Sequence, residues 1–177
     1  MIKLMISVLV LTVSASNIFA AEFGEERHTN FAHELWMVLE NADLVGKDAM
    51  VSAAYKGMHP HGAILDTVEL SVTVDGSRQP VIIKRNYGGA GVSIDAVNDN
   101  PNKWLAAVTV MYRIPGYDPK ANDWFWAKYL PDGSLDKTPT GMKLAGQVAR
   151  TGDEVGGCIG CHSSAPGDDF VFLNDKY

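Results

Sequence analysis

The only two cysteines of this 177-residue chain stand three positions apart and are followed at once by a histidine, in the run Cys158-Ile159-Gly160-Cys161-His162. Two thiols one helical turn apart with an adjacent imidazole form the attachment pattern of a c-type haem. Each sulfur can add to one vinyl group of the porphyrin, and the histidine then stands where it can ligate the iron. A fold that carries this run must enclose a flat, largely apolar cofactor beside its C-terminal segment. The expectation is one covalently bound haem c, attached through Cys158 and Cys161, with His162 as the metal ligand.

The same spacing suits a thioredoxin-like redox pair, but that pair normally sits early in a βαβ pattern rather than near a chain's end. A structural zinc site would need two further ligands. His59 and His61 could be enlisted, yet no second Cys or His pair stands at zinc-finger spacing. A disulfide between the two cysteines would close a very small ring, with little entropic gain.

The other end of the chain speaks to compartment. Met1-Ile2-Lys3 gives a positive start, Leu4 to Val13 an almost unbroken apolar run, and Asn17-Ile18-Phe19-Ala20-Ala21 small residues for cleavage. This is the pattern of a secretory signal peptide over residues 1–20, leaving residues 21–177 as a single domain. The apolar run, about 10–14 residues, is too short to span hydrocarbon about 30 Å thick. Export to the periplasm agrees with covalent haem attachment, which takes place outside the cytoplasm. The formal charge of −6, with no basic cluster, argues against nucleic acid and anionic lipid as partners.

Between the ends, the hydrophobic period divides the chain. Phe31, Leu35, Val38 and Leu39 recur at helical spacing, so residues 30–41 read as an amphipathic helix with Thr29 or Asn30 as N-cap, and a weaker helix is expected over 48–56. From Gly62 the period falls to two. Val68, Leu70, Val72 and Val74 alternate with polar residues, Asp75-Gly76 reads as a hairpin turn, and Val81 to Tyr87 reads as the returning strand. A loop is expected through Asn98 to Asn102. Trp104 to Arg113 alternates as a third strand, and Trp124 to Tyr129 is a fourth, aromatic one. His28 and His33 read as surface or capping residues, and Met58, Met111 and Met142 as apolar filling rather than iron ligands. The fold class that follows is α+β: mainly antiparallel sheet, an N-terminal helix and a C-terminal CxxCH segment.

Four stretches carry a closer likeness: Val81-Ile82-Ile83-Lys84-Arg85-Asn86-Tyr87, Thr109 to Tyr117, Asn122-Asp123-Trp124-Phe125-Trp126-Ala127-Lys128-Tyr129, and Gly157 to His162. With the closing Asp169-Phe170-Val171-Phe172, they make the chain from about His61 onward resemble the cytochrome P-460 family and its relative cytochrome c-prime-beta. That resemblance implies one haem, five-coordinate, with His162 proximal and an open distal side. It implies oxidation of hydroxylamine or a related nitrogen oxide in one branch, and binding of nitric oxide or carbon monoxide in the other. It also implies a redox partner protein and a homodimer, for which the aromatic strand could supply the interface or simply core. In the P-460 branch a strand lysine is cross-linked to the haem edge, and Lys84 resembles its counterpart. Taken alone, a lysine on an alternating strand is ordinarily a solvated charge.

The sequence departs from this pattern in one respect. Hydroxylamine oxidisers of the family carry a distal carboxylate, whereas the corresponding strand here offers Val108, Thr109, Val110 and Met111, leaving Glu69, Asp95 or Tyr112 as groups that could reach the site. An apolar wall favours neutral diatomic ligands, while oxidation of hydroxylamine requires proton removal. A plain electron carrier would need a sixth ligand, and no methionine follows His162.

Overall fold

The computed structural model describes residues 23–148 and 157–172, so the signal peptide expected over residues 1–20 lies outside the described residues. The chain runs α1 (Glu26–Asn41), β1 (Tyr55–Lys56), β2 (Ile64–Val74), β3 (Ser77–Tyr87), α2 (Ile94–Asp99), α3 (Pro101–Trp104), β4 (Leu105–Arg113), β5 (Trp124–Tyr129), β6 (Ala145–Gly146) and α4 (Cys158–His162). Among the described residues the six strands form one antiparallel sheet in sequence order, so the fold is α+β with an N-terminal helix. No helix among them is long and apolar enough to cross a membrane.

Asp75 and Gly76 close the β2–β3 hairpin with both φ values positive, 48° and 74°, which is the two-residue turn whose twist matches the flanking strands. The hairpin pairs without a break from Ile64↔Tyr87 to Val74↔Ser77. Because successive side chains point to opposite faces, β3, β4 and β5 each supply two different surfaces. Val81, Ile83, Val108, Val110, Phe125, Ala127 and Tyr129 face α1, where Ala32, Leu35, Trp36 and Leu39 complete the core. Ile82, Met111, Trp124 and Trp126 lie on the other face and pack with Cys158, Ile159 and Phe170 of the C-terminal segment. The aromatic strand is thus spent on the chain's own interior: Trp124, Phe125, Trp126 and Tyr129 are each 3% exposed or less.

The sequence reading of the secondary structure needs correction in three places. First, α1 begins at Glu26 with Glu25 as N-cap, so neither Thr29 nor Asn30 caps it; Thr29 Oγ1 instead donates back to the Glu26 carbonyl at 3.0 Å.

Second, residues 48–56 form no helix. Arg85, buried on β3, takes the carbonyls of Leu44 (2.8 Å) and Met50 and pairs with Asp66, while Ser52 bonds the backbone of Thr67, so this segment's polar groups are claimed by the sheet and its last two residues become β1. Asp66 also accepts from Tyr87 Oη at 2.5 Å, so the buried ion pair has the further partners such a pair requires.

Third, the expected loop through Asn98–Asn102 is two short helices. Ser93 Oγ accepts from Ala96 N at 3.1 Å and Asn100 Oδ1 from Lys103 N at 3.2 Å, each as an N-cap, and Pro101 at the first position of α3 has no N–H to leave unpaired. Trp104 therefore closes a helix and does not begin β4.

Candidate functional site

The face of the sheet away from α1 forms one wall of a cavity of about 520 Å3, within the size range of small-molecule and cofactor clefts. Its depth is set by the sheet register. Lys84 on β3, Thr109 on β4 and Lys128 on β5 stand in one cross-strand row, and Ile82, Met111 and Trp126 in the next. The opposite wall is the C-terminal segment. There α4 is tied to the segment just past β6 through Ile159 N to Val148 O at 3.0 Å, and Cys158, Cys161 and His162 all line the cavity. The structure thus brings together the four residues singled out in the sequence, Lys84, Cys158, Cys161 and His162, around one space.

Both cysteines are free thiols. Burial pushes the Cys158 thiol up to about 11, so at neutral pH it is protonated. His162 is 8% exposed and its Nδ1 lies 2.7 Å from the Phe170 carbonyl. A carbonyl can only accept, so Nδ1 carries the proton and Nε2 is left with its lone pair. Trp126 and Phe172 pack edge-on against the ring, with centroids at 4.8 and 5.3 Å. The tail that supplies the carbonyl is anchored on β5: Trp124 Nε1 donates to Asp169 O at 2.9 Å and Asn122 Nδ2 to Asp168 O at 2.5 Å.

Lys84 is half-buried and has no ion-pair partner among the described residues. Burial pushes its amine pKa below the ordinary lysine value. It is therefore not the solvated strand lysine that alternation alone suggests. Lys128, two strands away, is neutralised by Asp136 at 2.8 Å.

Three groups on the wall are not among the residues that the sequence assigns to the site, although His61 is weighed there as a zinc ligand. Among the described residues Asp136 is the carboxylate that lines this cavity, whereas Glu69, Asp95 and Tyr112 do not line it. Tyr112 faces α1. Burial works to raise the Asp136 carboxyl, but the bonds from Lys128 and from Lys137 N hold it below its usual value, so it stays ionised. Trp126 is 2% exposed, and its indole N–H has no hydrogen-bond partner among the described residues. Buried indole N–H groups usually find one. His61 is the third, held by Asn86 with Nδ1 to Oδ1 at 2.8 Å.

The strand expected to wall the distal side contributes only alternate side chains. Thr109 and Met111 face the cavity, while the side chains of Val108 and Val110 belong to the core against α1. Of the three methionines, Met111 is at the wall; Met58 is 80% exposed and Met142 packs behind the site. His28 is not on the surface as expected but buried at 4%, between Gly146 and the rings of Tyr117 and Phe125, while His33 is exposed. Neither borders the cavity. Among the described residues, no three His, Cys, Asp or Glu side chains converge as a protein-only metal site would need. No family model, no characterised protein and no solved structure matches the chain.

Proposed function

We propose that the protein is an exported, periplasmic c-type cytochrome with a single haem, of the cytochrome P-460 or c-prime-beta kind, and that it oxidises hydroxylamine or a related small nitrogen oxide. The observation that carries this reading is the meeting of both thiols, a bare imidazole nitrogen and an unpaired, half-buried lysine on the walls of one cavity. The donor chemistry fits the cofactor. Each S–H can add across one vinyl double bond without an oxidant, His162 offers Nε2, and the unmet N–H of Trp126 offers a donor to whatever fills the space.

When bound, the haem supplies an iron that accepts electrons from the substrate and passes them to a redox partner protein. The chain's own residues do the rest. Phe170 fixes the His162 tautomer, as second-sphere acceptors do for metal-bound histidines. Ile82 and Met111 keep part of the sheet wall apolar. Asp136, ionised against Lys128, is a carboxylate in place to take a proton released by a substrate nitrogen. Burial shifts Lys84 towards its neutral amine, the form able to bond a carbon of the haem edge. That C–N bond releases two hydrogens and so requires a two-electron oxidant of the peroxide class.

A second reading, reversible binding of nitric oxide or carbon monoxide, is favoured by the apolar share of that wall. Lys84 separates the two. In the enzyme, peptide mass mapping finds the Lys84 peptide joined to haem, and Lys84→Ala loses both a red-shifted Soret band and hydroxylamine turnover. If the Lys84 peptide is free of haem, the gas-binding reading takes precedence. Haem that can be extracted with acid–acetone, or that persists after Cys158→Ala and Cys161→Ala together, removes the assignment altogether. The homodimer rests on the resemblance alone, and sedimentation equilibrium measures it.

A further inference from the structure

A second histidine on the cavity is prepared for a metal in the same way as His162. Asn86, 4% exposed, gives its Nδ2 to the carbonyls of Lys84 (2.9 Å) and Ala107 (3.3 Å), so its Oδ1 is the atom turned towards His61 and the Gly62 amide. That network fixes the amide's orientation. Oδ1 accepts, so His61 Nδ1 carries the proton and Nε2 is bare. Two cavity histidines therefore each have Nδ1 pinned to an oxygen acceptor and Nε2 unengaged, the arrangement that second-sphere partners impose on metal-bound imidazoles.

Their separation fits one metal between them. The two ring centroids lie 6.2 Å apart with the planes at 83°. With metal–nitrogen bonds of about 2.0–2.1 Å, and roughly 1.1 Å more from nitrogen to ring centre, two imidazoles trans on one metal place their centroids about 6.3 Å apart. A small molecule held between an iron and a distal histidine would require a wider gap.

The loop that carries His61 is tightly set. Gly57 and Gly62 lie against each other so that a Cβ on Gly57 would come 2.0 Å from the Gly62 carbonyl, and one on Gly62 would come 2.4 Å from the Tyr87 carbonyl. Only glycine fits at these contacts, and they hold the loop against the end of β3.

From this pairing we infer that His61 is the second axial ligand of the haem iron, trans to His162, in the resting protein. The assignment rests on the haem reading above and replaces the open distal side implied by the resemblance with a closed one. Small ligands then bind only after His61 lets go, so Lys84, Asp136 and Trp126 act in a state that His61 gates. A lysine or methionine in that position is the competing arrangement, since Lys84, Lys128 and Met111 share the wall.

The test uses the ferric holoprotein, expressed full length in a host that attaches haem and assayed by electron paramagnetic resonance and near-infrared magnetic circular dichroism. The expected result is a low-spin spectrum of the bis-imidazole type. His61→Gly converts it to high spin, and added imidazole restores the low-spin signal. Carbon monoxide association with the ferrous protein saturates with ligand concentration in the wild type and becomes linear in His61→Gly. A high-spin wild type, or a low-spin signal that survives His61→Gly, overturns the assignment while leaving covalent haem intact. If the variant does not accumulate, the wild-type dichroism still decides, because imidazole–amine and imidazole–thioether pairs differ from bis-imidazole and either overturns it. A polypeptide without covalent haem overturns the haem reading itself, and this assignment with it.

Discussion

The two faces of the sheet are made by the same strands and share almost nothing else. Towards α1, Val81, Ile83, Val108, Val110 and Tyr129 are 1% exposed or less and interlock with Leu35 and Leu39. Towards the C-terminal segment, the neighbouring positions Lys84, Thr109 and Lys128 carry polar groups around open space. The two-residue period thus assigns stability to one face and chemistry to the other. Substitutions one position apart should therefore have opposite consequences.

The largest effect is expected at Arg85. Arg85→Met leaves the Asp66 carboxylate buried without its cation and frees the carbonyls that hold residues 44–50, at a cost of about 3–5 kcal/mol. Chemical denaturation measures it, and a cost below about 1 kcal/mol would show that the network is not a structural anchor. Leu35→Ala, on the α1 side, should cost about 2–5 kcal/mol and leave the spectrum of the proposed haem unchanged. A spectral shift in that variant would break the division between the faces.

A smaller effect is expected from His28, whose pKa burial holds below its ordinary value, with Arg27 adding to the shift. The unfolded chain takes up a proton there first, so stability is full above the unfolded value of about 6.5 and declines as pH falls below it. His28→Gln should flatten that part of the stability profile, read from denaturant midpoints between neutral and mildly acidic pH. The smallest effect on stability belongs to Lys84→Ala, within about 0.5 kcal/mol, since no ion pair is lost. There the change should appear in the spectrum and not in the melting curve.

This division also governs what the sequence revealed. The long strands were legible because alternation is a local signal, and the turn at Asp75-Gly76 because only a few residue types accept its positive φ values. Residues 48–56 misled because their conformation is imposed by Arg85, a side chain 35–41 residues away from the carbonyls it holds. The part His61 plays stayed hidden for the same kind of reason. Its own stretch offers it only as a zinc candidate beside His59, and its partner Asn86 reaches it only once Gly62 has packed on the end of β3. The helices at residues 94–104 did have a local signal, in Ser93 and in Asn100-Pro101, which the surrounding polar run obscured.

One consequence follows from Phe170. A bulky residue at φ 65° is in a conformation that side chains of its kind seldom adopt, yet it is the residue whose carbonyl sets the His162 tautomer. The pentapeptide at 158–162 is therefore not a portable cassette. Grafted onto another scaffold it would bring two thiols and an imidazole, but the orientation of that imidazole is written in a strained tail residue eight positions on and in the tryptophan strand that pins the tail. A designer borrowing the motif would have to borrow the tail at 168–172 and the β5 strand of the sheet along with it.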